Sequence, residues 1–459
     1  MNREPVNTHD KALRINLDTG KYGTFAEIGA GQEVGRWFFR VGGAAGTVAK
    51  TISAYDMAVS DAIYGPCTRY VSRQRLVAMF DHEYPLLLER LNAKRGDTSM
   101  FFVYANTMAA RSFSRQDEGH GWMGVRFQHQ PHAEPSEIIL HVRMLDSENP
   151  REQEAIGVLG VNLIYGAFFH RENPATLIAS LLDDLTHERI EVDVIRFSGP
   201  GFAGVDDRLI SLQLVEQKFT EAVMFTAAGE VVQPLDFLYK KTVLIERGSF
   251  RPITNLTEAI LASAQKQFAS DEPPVVLMEM TLRQLQTGDH IDHVDFLARV
   301  DTLRALGHTV MISNYLRYHR LVPFLRRLTS KRIGFAMGLR NIRDLNDEQF
   351  YTDVPGGILQ AMGELFQGDV KLYVCPALEA GQPVRPEDYQ VPPHLRHLYA
   401  HLWDNQLIET IPIDTALLTI YSSEVLAKIQ SGDAAWEKLV PAPVVQVIKE
   451  RKLFGYRQL

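Results

Sequence analysis

The second half of the chain alternates short apolar runs with amphipathic stretches. The runs VVLMEMTL, HTVMISN, RIGFAMGL and VKLYVCPAL are separated by segments such as HVDFLARVDTLRALG and YHRLVPFLRRLTSK. Strands that alternate with helices of this length are typical of βαβ units, in which the strands run parallel and the helices cover the sheet. The pattern therefore predicts a Rossmann-like sheet after residue 250, followed by a helical C-terminus.

The first half mixes long helices and strands in a less regular order. VSRQRLVAMFDHEYPLLLERLNAKRG and NPREQEAIGVLGVNLIYGAFF predict helices, whereas TSMFFVYAN, EIILHVRML, IEVDVIRFSG and KTVLIERG predict strands. The whole chain thus predicts an α/β fold with parallel or mixed sheets and flanking helices, in two domains, 1–250 and 251–459. Because no flexible linker marks the boundary, a single interleaved unit with two sheets remains the alternative.

A glycine-rich stretch, GAGQEVGRWFFRVGGAAGTVAK, begins at Gly29. Glycine permits positive φ, and successive backbone N–H groups can form an anion-binding nest. If a helix follows, its N-terminal dipole adds to the attraction. The spacing departs from the Walker and dinucleotide-binding motifs. The stretch predicts an anion site, with tight turns and close packing as the alternative. The predicted anion ligands are Gly42, Gly43, Gly46, Arg36 and Arg40, together with Arg143 and Arg196 at the ends of two strands.

Three residues are candidates for catalysis. His120 lies between two glycines in DEGHGWMGVRF, and a histidine there can transfer a proton near neutral pH. Lys50 lies four residues past Gly46, where it is expected to reach a phosphate. Asp56 follows the stretch and can orient a base. The alternatives are an ordinary loop histidine for His120 and a capping or surface role for Asp56.

Composition narrows the classes of function. The 459 residues carry a net charge of −8 with 23% charged residues, which argues against a broad nucleic-acid-binding face. Two distant cysteines fit a reducing compartment. The polar start of the chain lacks the apolar core of a signal peptide, and the longest nearly apolar run is shorter than the ~20 residues that cross a bilayer. We therefore expect a cytoplasmic protein without a membrane partner.

These observations favour an enzyme that acts on a small phosphorylated molecule or a nucleotide, by nucleotidyl or phosphoryl transfer. Mg²⁺ that accompanies a nucleotide is the cofactor to consider, and no metal site in the protein itself is predicted. The motifs G-x-S-x-G, H-E-x-x-H and C-x-x-C are missing from the sequence. The alternative is a non-catalytic scaffold that self-assembles into a homo-oligomer through the glycine-containing helix near Leu159 and the helical C-terminus.

VVLMEMTL followed by LRALGHTVMISN resembles the haloacid dehalogenase superfamily. In that family the first strand ends in D-x-D-x-[TV], and a later strand ends in Ser or Thr, often followed by Asn. Ser313 and Asn314 match the later motif, whereas Glu279 and Thr281 occupy the first motif without an aspartate nucleophile. The resemblance implies a secondary site at Glu279, Ser313 and Asn314, and a phosphatase chemistry that has been lost or replaced.

YGTFAEIGAGQEV, GTVAKTISAYDM and FLARVDTLRALGHTVMISNY resemble a family of bacterial proteins of similar length. Automatic names in that family include nicotinate-nucleotide adenylyltransferase and TonB-dependent receptor. The adenylyltransferases carry an H-x-G-H signature; the nearest fragment here, GHGW at Gly119, lacks the second histidine. The receptor name implies a membrane barrel of some twenty-odd alternating strands, which the hydrophobic pattern does not predict.

Overall fold

The computed structural model describes residues 3–111, 118–268, 270, 272–288 and 290–457. The chain divides into two compact units, Met1–Thr220 and Glu221–Leu459. The expected mixed α/β class is confirmed. The boundary predicted near residue 250 lies inside the second unit, because the strands at Ala222–Phe225 and Val243–Arg247 pair within the second sheet.

Across its described residues, the first unit holds a six-stranded sheet in the order β2-β1-β3-β4-β5-β6. The strands are β1 (Lys21–Gly29), β2 (Val48–Ser53), β3 (Met100–Ala109), β4 (His120–Phe127), β5 (Ser136–Met144) and β6 (Ile190–Ser198). β1 runs parallel to β2 and to β3, and the remaining neighbours pair antiparallel. The carboxyl ends of β1, β2 and β3 consequently share one edge of the sheet, where α/β proteins usually bind ligands.

The helices of the first unit confirm the two long helices that the sequence predicts. They are α1 (Thr8–Asn16), α2 (Val34–Arg40), α3 (Met57–Tyr64), α4 (Arg73–Arg95), α5 (Asn149–Phe169), α6 (Pro174–Ser180) and α7 (Asp207–Glu216). At Gly160 of α5, a Cβ atom would lie only 2.3 Å from Cγ2 of Val34. The glycine lets α2 pack closely on α5. α2 therefore covers this part of the α5 surface. The scaffold hypothesis expected a second copy of the chain to pack against this helix, and it is weakened at this point.

In the second unit, the described residues form an eight-stranded sheet in the order β18-β15-β14-β9-β10-β13-β7-β8. Its strands are β7 (Ala222–Phe225), β8 (Val231–Val232), β9 (Val243–Arg247), β10 (Val275–Thr281), β13 (Thr309–Ser313), β14 (Ile333–Gly338), β15 (Val370–Cys375) and β18 (Ile408–Thr410). Two small hairpins, β11 (Gln286–Thr287) with β12 (His290–Ile291) and β16 (Ala377–Glu379) with β17 (Gln382–Val384), lie outside this sheet.

Six neighbouring strands of this sheet run parallel to one another, in the spatial order β13-β10-β9-β14-β15-β18. Numbered along the chain, their spatial order is third, second, first, fourth, fifth and sixth, which is the order of a doubly wound Rossmann sheet. β7 pairs antiparallel with β13 and extends one edge. The sheet ends in short strands on both sides, the two-residue β8 and the three-residue β18.

Helices of the second unit connect these strands. They are α8 (Pro234–Leu238), α9 (Asn255–Gln267), α10 (Leu282–Leu285), α11 (His293–Ala305), α12 (Tyr318–Leu328), α13 (Leu339–Leu345), α14 (Gly357–Leu365), α15 (Arg396–Asp404), α16 (Ser422–Ser431) and α17 (Ala442–Arg451). The crossover helix α12 buries an apolar stripe that includes Leu321, Val322 and Leu325 against the core. Because the chain crosses from β13 to β14, the strand order reverses between β9 and β14. This reversal creates a switch point at the carboxyl edge of the sheet.

Candidate functional site

A cavity of about 390 Å³ lies at the carboxyl edge of the second sheet. Arg247 at the end of β9 and Thr281 at the end of β10 form part of its wall, with residues from the start of α12 and from α13. We call it the arginine pocket and define it by Arg247, Arg283, Arg317, Tyr318, His319 and Asn341. Its position is where open parallel sheets bind their ligands.

Arg247 is fixed in the wall of the arginine pocket by a buried carboxylate. Its Nε and Nη2 donate to the two carboxylate oxygens of Glu279 at 2.8 Å each, and Nη1 donates to the carbonyl of Leu316 at 3.1 Å. The Ser313 hydroxyl donates to Glu279 Oε1 at 2.6 Å. Glu279 and Ser313 are both 0% exposed. Two-point pairing of this kind holds a guanidinium in one orientation.

His319 supplies a polar group without a partner to the same wall. It is 2% exposed, and neither ring nitrogen has a hydrogen-bond partner in the structure. Burial lowers the pKa of His319 below its ordinary value, so the ring is neutral at neutral pH. Because a buried polar group without a hydrogen bond is costly, the ring can gain a bond from a ligand in the cavity.

The predicted secondary site comes together in part. Glu279 and Ser313 are hydrogen-bonded beneath Arg247, where they position that arginine instead of lining the cavity. The backbone N–H of Asn314 donates to the carbonyl of Glu221 at 2.8 Å. Glu279 lies on β10, which follows β9 in the parallel series, whereas the dehalogenase resemblance places its first motif on the first strand.

The glycine-rich stretch of the first unit forms a turn at the edge of the six-stranded sheet where β2 begins. Gly42 and Gly43 have φ values of 85° and 73°, and the turn leads from α2 into the amino end of β2. The N–H of Gly46 donates to the carbonyl of Gly43, and that of Thr47 to Ala44, each at 3.0 Å. The segment after Gly46 is a strand and not a helix. The N–H groups of Gly46 and Thr47 are therefore used within the turn, and anion binding by the three glycines stays a prediction.

Lys50 and Asp56 each bond to another residue of the first unit. Lys50 forms an ion pair with Glu83 of α4, a buried carboxylate that also accepts from the Tyr64 hydroxyl at 3.0 Å. Asp56 is the N-cap of α3 and accepts from the N–H of Val59 at 3.1 Å. Both side chains thus have partners within the unit, and their catalytic roles stay predictions.

The N-cap role of Asp56 predicts a specific pattern of stability. We expect Asp56→Ala to lower the free energy of unfolding by about 1 kcal/mol, and Asp56→Asn to leave it nearly unchanged because asparagine caps equally well. Urea denaturation followed by circular dichroism measures both variants. A loss of the same size in both would show that the carboxylate charge, and not the cap, is what matters.

Two of the predicted arginines of the first unit, Arg36 and Arg40, share one cavity, whereas Arg143 and Arg196 lie on β5 and β6. Arg36 pairs with Glu33 at 3.2 Å, and Arg40 lies 5.2 Å from the ring of Trp37; both line a cavity of about 580 Å³. Arg143 forms ion pairs with Glu118 and Glu191. Arg196 lies on β6, opposite Ile139 of β5. Arg143 and Arg196 are not among the described residues that line this cavity.

His120 is the first residue of β4 and not part of a loop. Its Nδ1 lies 3.3 Å from Nε2 of His141 on β5.

Three residues of the arginine pocket, Arg317, His319 and Asn341, were not predicted from the sequence. Their signal was present, since YLRYHR directly follows the strand that ends at Ser313 and RNIRD follows the strand that ends at Gly338.

Comparisons with known proteins give weak and partial likenesses. No family model matches the chain, and no curated protein matches it. Among solved structures, the competence/damage inducible protein of Agrobacterium tumefaciens shares 19% identity over 35% of this chain and 93% of its own, with a TM-score of 0.24. The nicotinic acid mononucleotide adenylyltransferase of Plasmodium falciparum shares 12% identity over 47% of this chain and 98% of its own, with a TM-score of 0.31.

Structural neighbours thus include adenylyltransferases of the nicotinate type and CinA-like proteins, all at low TM-score and partial coverage. Likenesses of this size carry no inference about ligand or activity. The dehalogenase resemblance stays a prediction. Across the described part of the chain, every helix is too short or too polar to cross a membrane.

Proposed function

We propose that this protein is an enzyme acting on a small phosphorylated molecule or a nucleotide, and that the arginine pocket binds the phosphate. The observation that carries the proposal is the lining of this cavity. Among its described lining residues, three arginines face a single carboxylate, Asp344. Glu279 beneath Arg247 neutralises that arginine, which leaves Arg283 and Arg317 against Asp344. The remaining positive charge suits a phosphate.

Two of the arginines are held ready for an anion. Arg247 keeps its orientation through Glu279 and lies 4.4 Å from the ring of Tyr318. Arg317 lies 3.7 Å from the ring of Phe350, which supports the guanidinium by a cation–π contact. Guanidinium groups that are already oriented stabilise the charge that spreads over the oxygens of a transferring phosphoryl group without further reorganisation.

His319 completes the chemistry of the proposed site. Its neutral ring accepts a proton from an attacking hydroxyl group, or donates one to a leaving group after it has been protonated. Phosphoryl and nucleotidyl transfer depend mainly on positioning and on electrostatic stabilisation, which the fixed arginines supply. The arginines and His319 together support this reaction class.

Replacing Arg317 tests the proposed phosphate site. We expect Arg317→Ala to remove a charged hydrogen bond worth about 1.5–3 kcal/mol, which weakens binding about 10- to 100-fold. Isothermal titration calorimetry with ATP, AMP and glucose 6-phosphate measures the dissociation constants.

Arg327→Ala is the matched control, because Arg327 lies on α12, the helix that Arg317 precedes, 5.4 Å from the ring of Phe324 and outside the cavity lining. We expect the control to bind like the wild type. The proposal is wrong if none of the three ligands binds at millimolar concentration, or if both variants bind equally well. Light scattering on the same samples tests the scaffold alternative, which requires a large particle whose size does not depend on ligand.

A further inference from the structure

The arginine pocket holds charges of both signs that do not contact one another. Glu279 neutralises Arg247 from beneath. The other charged side chains among the described lining residues are Arg283, Arg317 and Asp344. Across the described part of the chain, no arginine or lysine nitrogen lies within 4.0 Å of the Asp344 carboxylate, and this carboxylate accepts no hydrogen bond. The cations and the carboxylate are therefore both available to a ligand that lies between them.

Asp344 and Asn341 present two acceptors from one turn of α13. Residues three apart on a helix are neighbours on its surface, and both of these side chains line the cavity. Asn341 Nδ2 donates to the Tyr318 hydroxyl at 3.2 Å, so Oδ1 is the group of this amide that is left to accept. An ionised carboxylate can only accept. This side of the cavity thus suits a ligand group that donates hydrogen bonds.

The cavity has room for more than the phosphate. Its volume of about 390 Å³ lies within the range of about 300–1,000 Å³ that is usual for small-molecule sites. Leu316 lines it and is 50% exposed, which provides apolar surface for a carbon skeleton. Burial raises the pKa of Tyr351 to about 12, which the charge of Arg317 opposes and that of Asp344 increases. Both charges are therefore close to the ring of Tyr351, and a small ligand can reach both.

Charge decides which donor group fits beside Asp344. An ammonium group would be attracted by the carboxylate, but it would be repelled by Arg283 and Arg317 in the same cavity. Hydroxyl groups carry no charge, donate to both acceptors of α13, and lie next to the phosphate in phosphorylated sugars and ribonucleotides. Sugar hydroxyls therefore match the acceptors without opposing the cations.

We propose that the arginine pocket binds a phosphorylated sugar or a ribonucleotide whose sugar hydroxyl groups donate to Asp344 and Asn341, an inference that rests on the proposed phosphate site. Asp344 selects the substrate in two ways. It accepts hydrogen bonds from the hydroxyl groups, and it repels a phosphate that carries no such groups. A site built to bond a hydroxyl group discriminates against analogues that lack it, because its buried polar groups are then left unpaired.

Paired ligands test the inference on the wild-type protein, with isothermal titration calorimetry as the measurement. AMP is compared with 2′,3′-dideoxyadenosine monophosphate, and glucose 6-phosphate is compared with methyl phosphate. A hydrogen bond to a charged group corresponds to about 10- to 100-fold in affinity, so we expect at least one hydroxyl-bearing ligand to bind tighter than its counterpart by that factor. The pair that shows the difference identifies a ribonucleotide or a sugar phosphate as the source. Equal affinities within both pairs overturn the inference.

Asp344→Ala is expected to change the affinities of two ligands in opposite directions. The hydroxyl-bearing ligand should bind about 10- to 100-fold more weakly, since its charged acceptor is removed. Pyrophosphate should bind tighter by up to about five-fold, because one exposed like charge has gone and such charges contribute little. Asp353→Ala is the matched control, since Asp353 is 77% exposed, lies 3.9 Å from Arg320 and is outside the lining. A change of the same sign for both ligands, or an effect of equal size in the control, overturns the role of Asp344.

Pyrophosphate separates this inference from the proposed function. Its binding to the wild type and its weakening in Arg317→Ala support the phosphate site alone. If pyrophosphate binds while the paired ligands do not differ, the hydroxyl assignment is wrong and the phosphate site stands. If pyrophosphate does not bind to the wild type at millimolar concentration, both are wrong.

Discussion

Replacing Glu279 with alanine is expected to lower the free energy of unfolding of the second unit by about 3–5 kcal/mol. The carboxylate is 0% exposed, and it neutralises a guanidinium whose side chain is only 7% exposed. Its removal leaves Arg247 charged and unpaired in the interior and deprives the Ser313 hydroxyl of its acceptor. Urea denaturation of wild type and variant at one pH measures the difference.

A double variant separates the ion pair from simple loss of packing. Arg247→Met combined with Glu279→Leu removes both charges and keeps the volume, so we expect it to be more stable than Glu279→Ala. Asp369→Ala serves as the surface control, because its partner Arg332 is 26% exposed and such pairs contribute about 0–1 kcal/mol. A double variant as unstable as Glu279→Ala would show that packing, and not the unpaired charge, dominates.

The first unit is expected to lose stability as the pH rises through neutrality because of Glu27. This side chain is 5% exposed and accepts from the N–H groups of Val34 and Gly35 at the start of α2. Burial raises the pKa of Glu27 from its ordinary value of 4.5 to about 7. The protonated form is therefore favoured in the folded state, and its contribution is complete below the unfolded pKa and lost as the pH rises through 7.

The expected size of this loss is on the order of 3 kcal/mol between about pH 4.5 and about pH 8. Glu27→Gln keeps an acceptor for the helix amides without an ionisable group, so its stability should change less over this range. Glu89→Gln, at an exposed position of α4, is the control and should follow the wild type. Denaturant titrations at several pH values measure all three proteins. Parallel pH profiles for wild type and Glu27→Gln would contradict the assignment.

The sequence predicted the elements that local patterns determine. The helices α4 and α5 and the parallel strands of the second unit follow from apolar periodicity, which is a property of short segments. The domain boundary could not be found in this way, because β9 pairs with β10 and β14, whose partners lie far along the chain. β2 was not among the predicted strands.

Part of the neighbourhood of the candidate site was predicted through the dehalogenase resemblance. That resemblance pointed to Glu279 and Ser313, and the structure joins their side chains by a hydrogen bond. The importance of His319 depends on burial and on the lack of a partner, which only packing reveals. The ion pair of Lys50 was not predicted, because its partner, Glu83, lies on a helix that begins more than twenty residues later.

The short outer strands of the second sheet have a consequence for behaviour at high concentration. A long unpaired strand offers its backbone N–H and C=O groups to other chains, and such recruitment starts many ordered aggregates. β8 offers two residues and β18 offers three, which is too little backbone to hold an incoming strand. The second unit is thereby protected from growing into fibrils through either flank of its sheet.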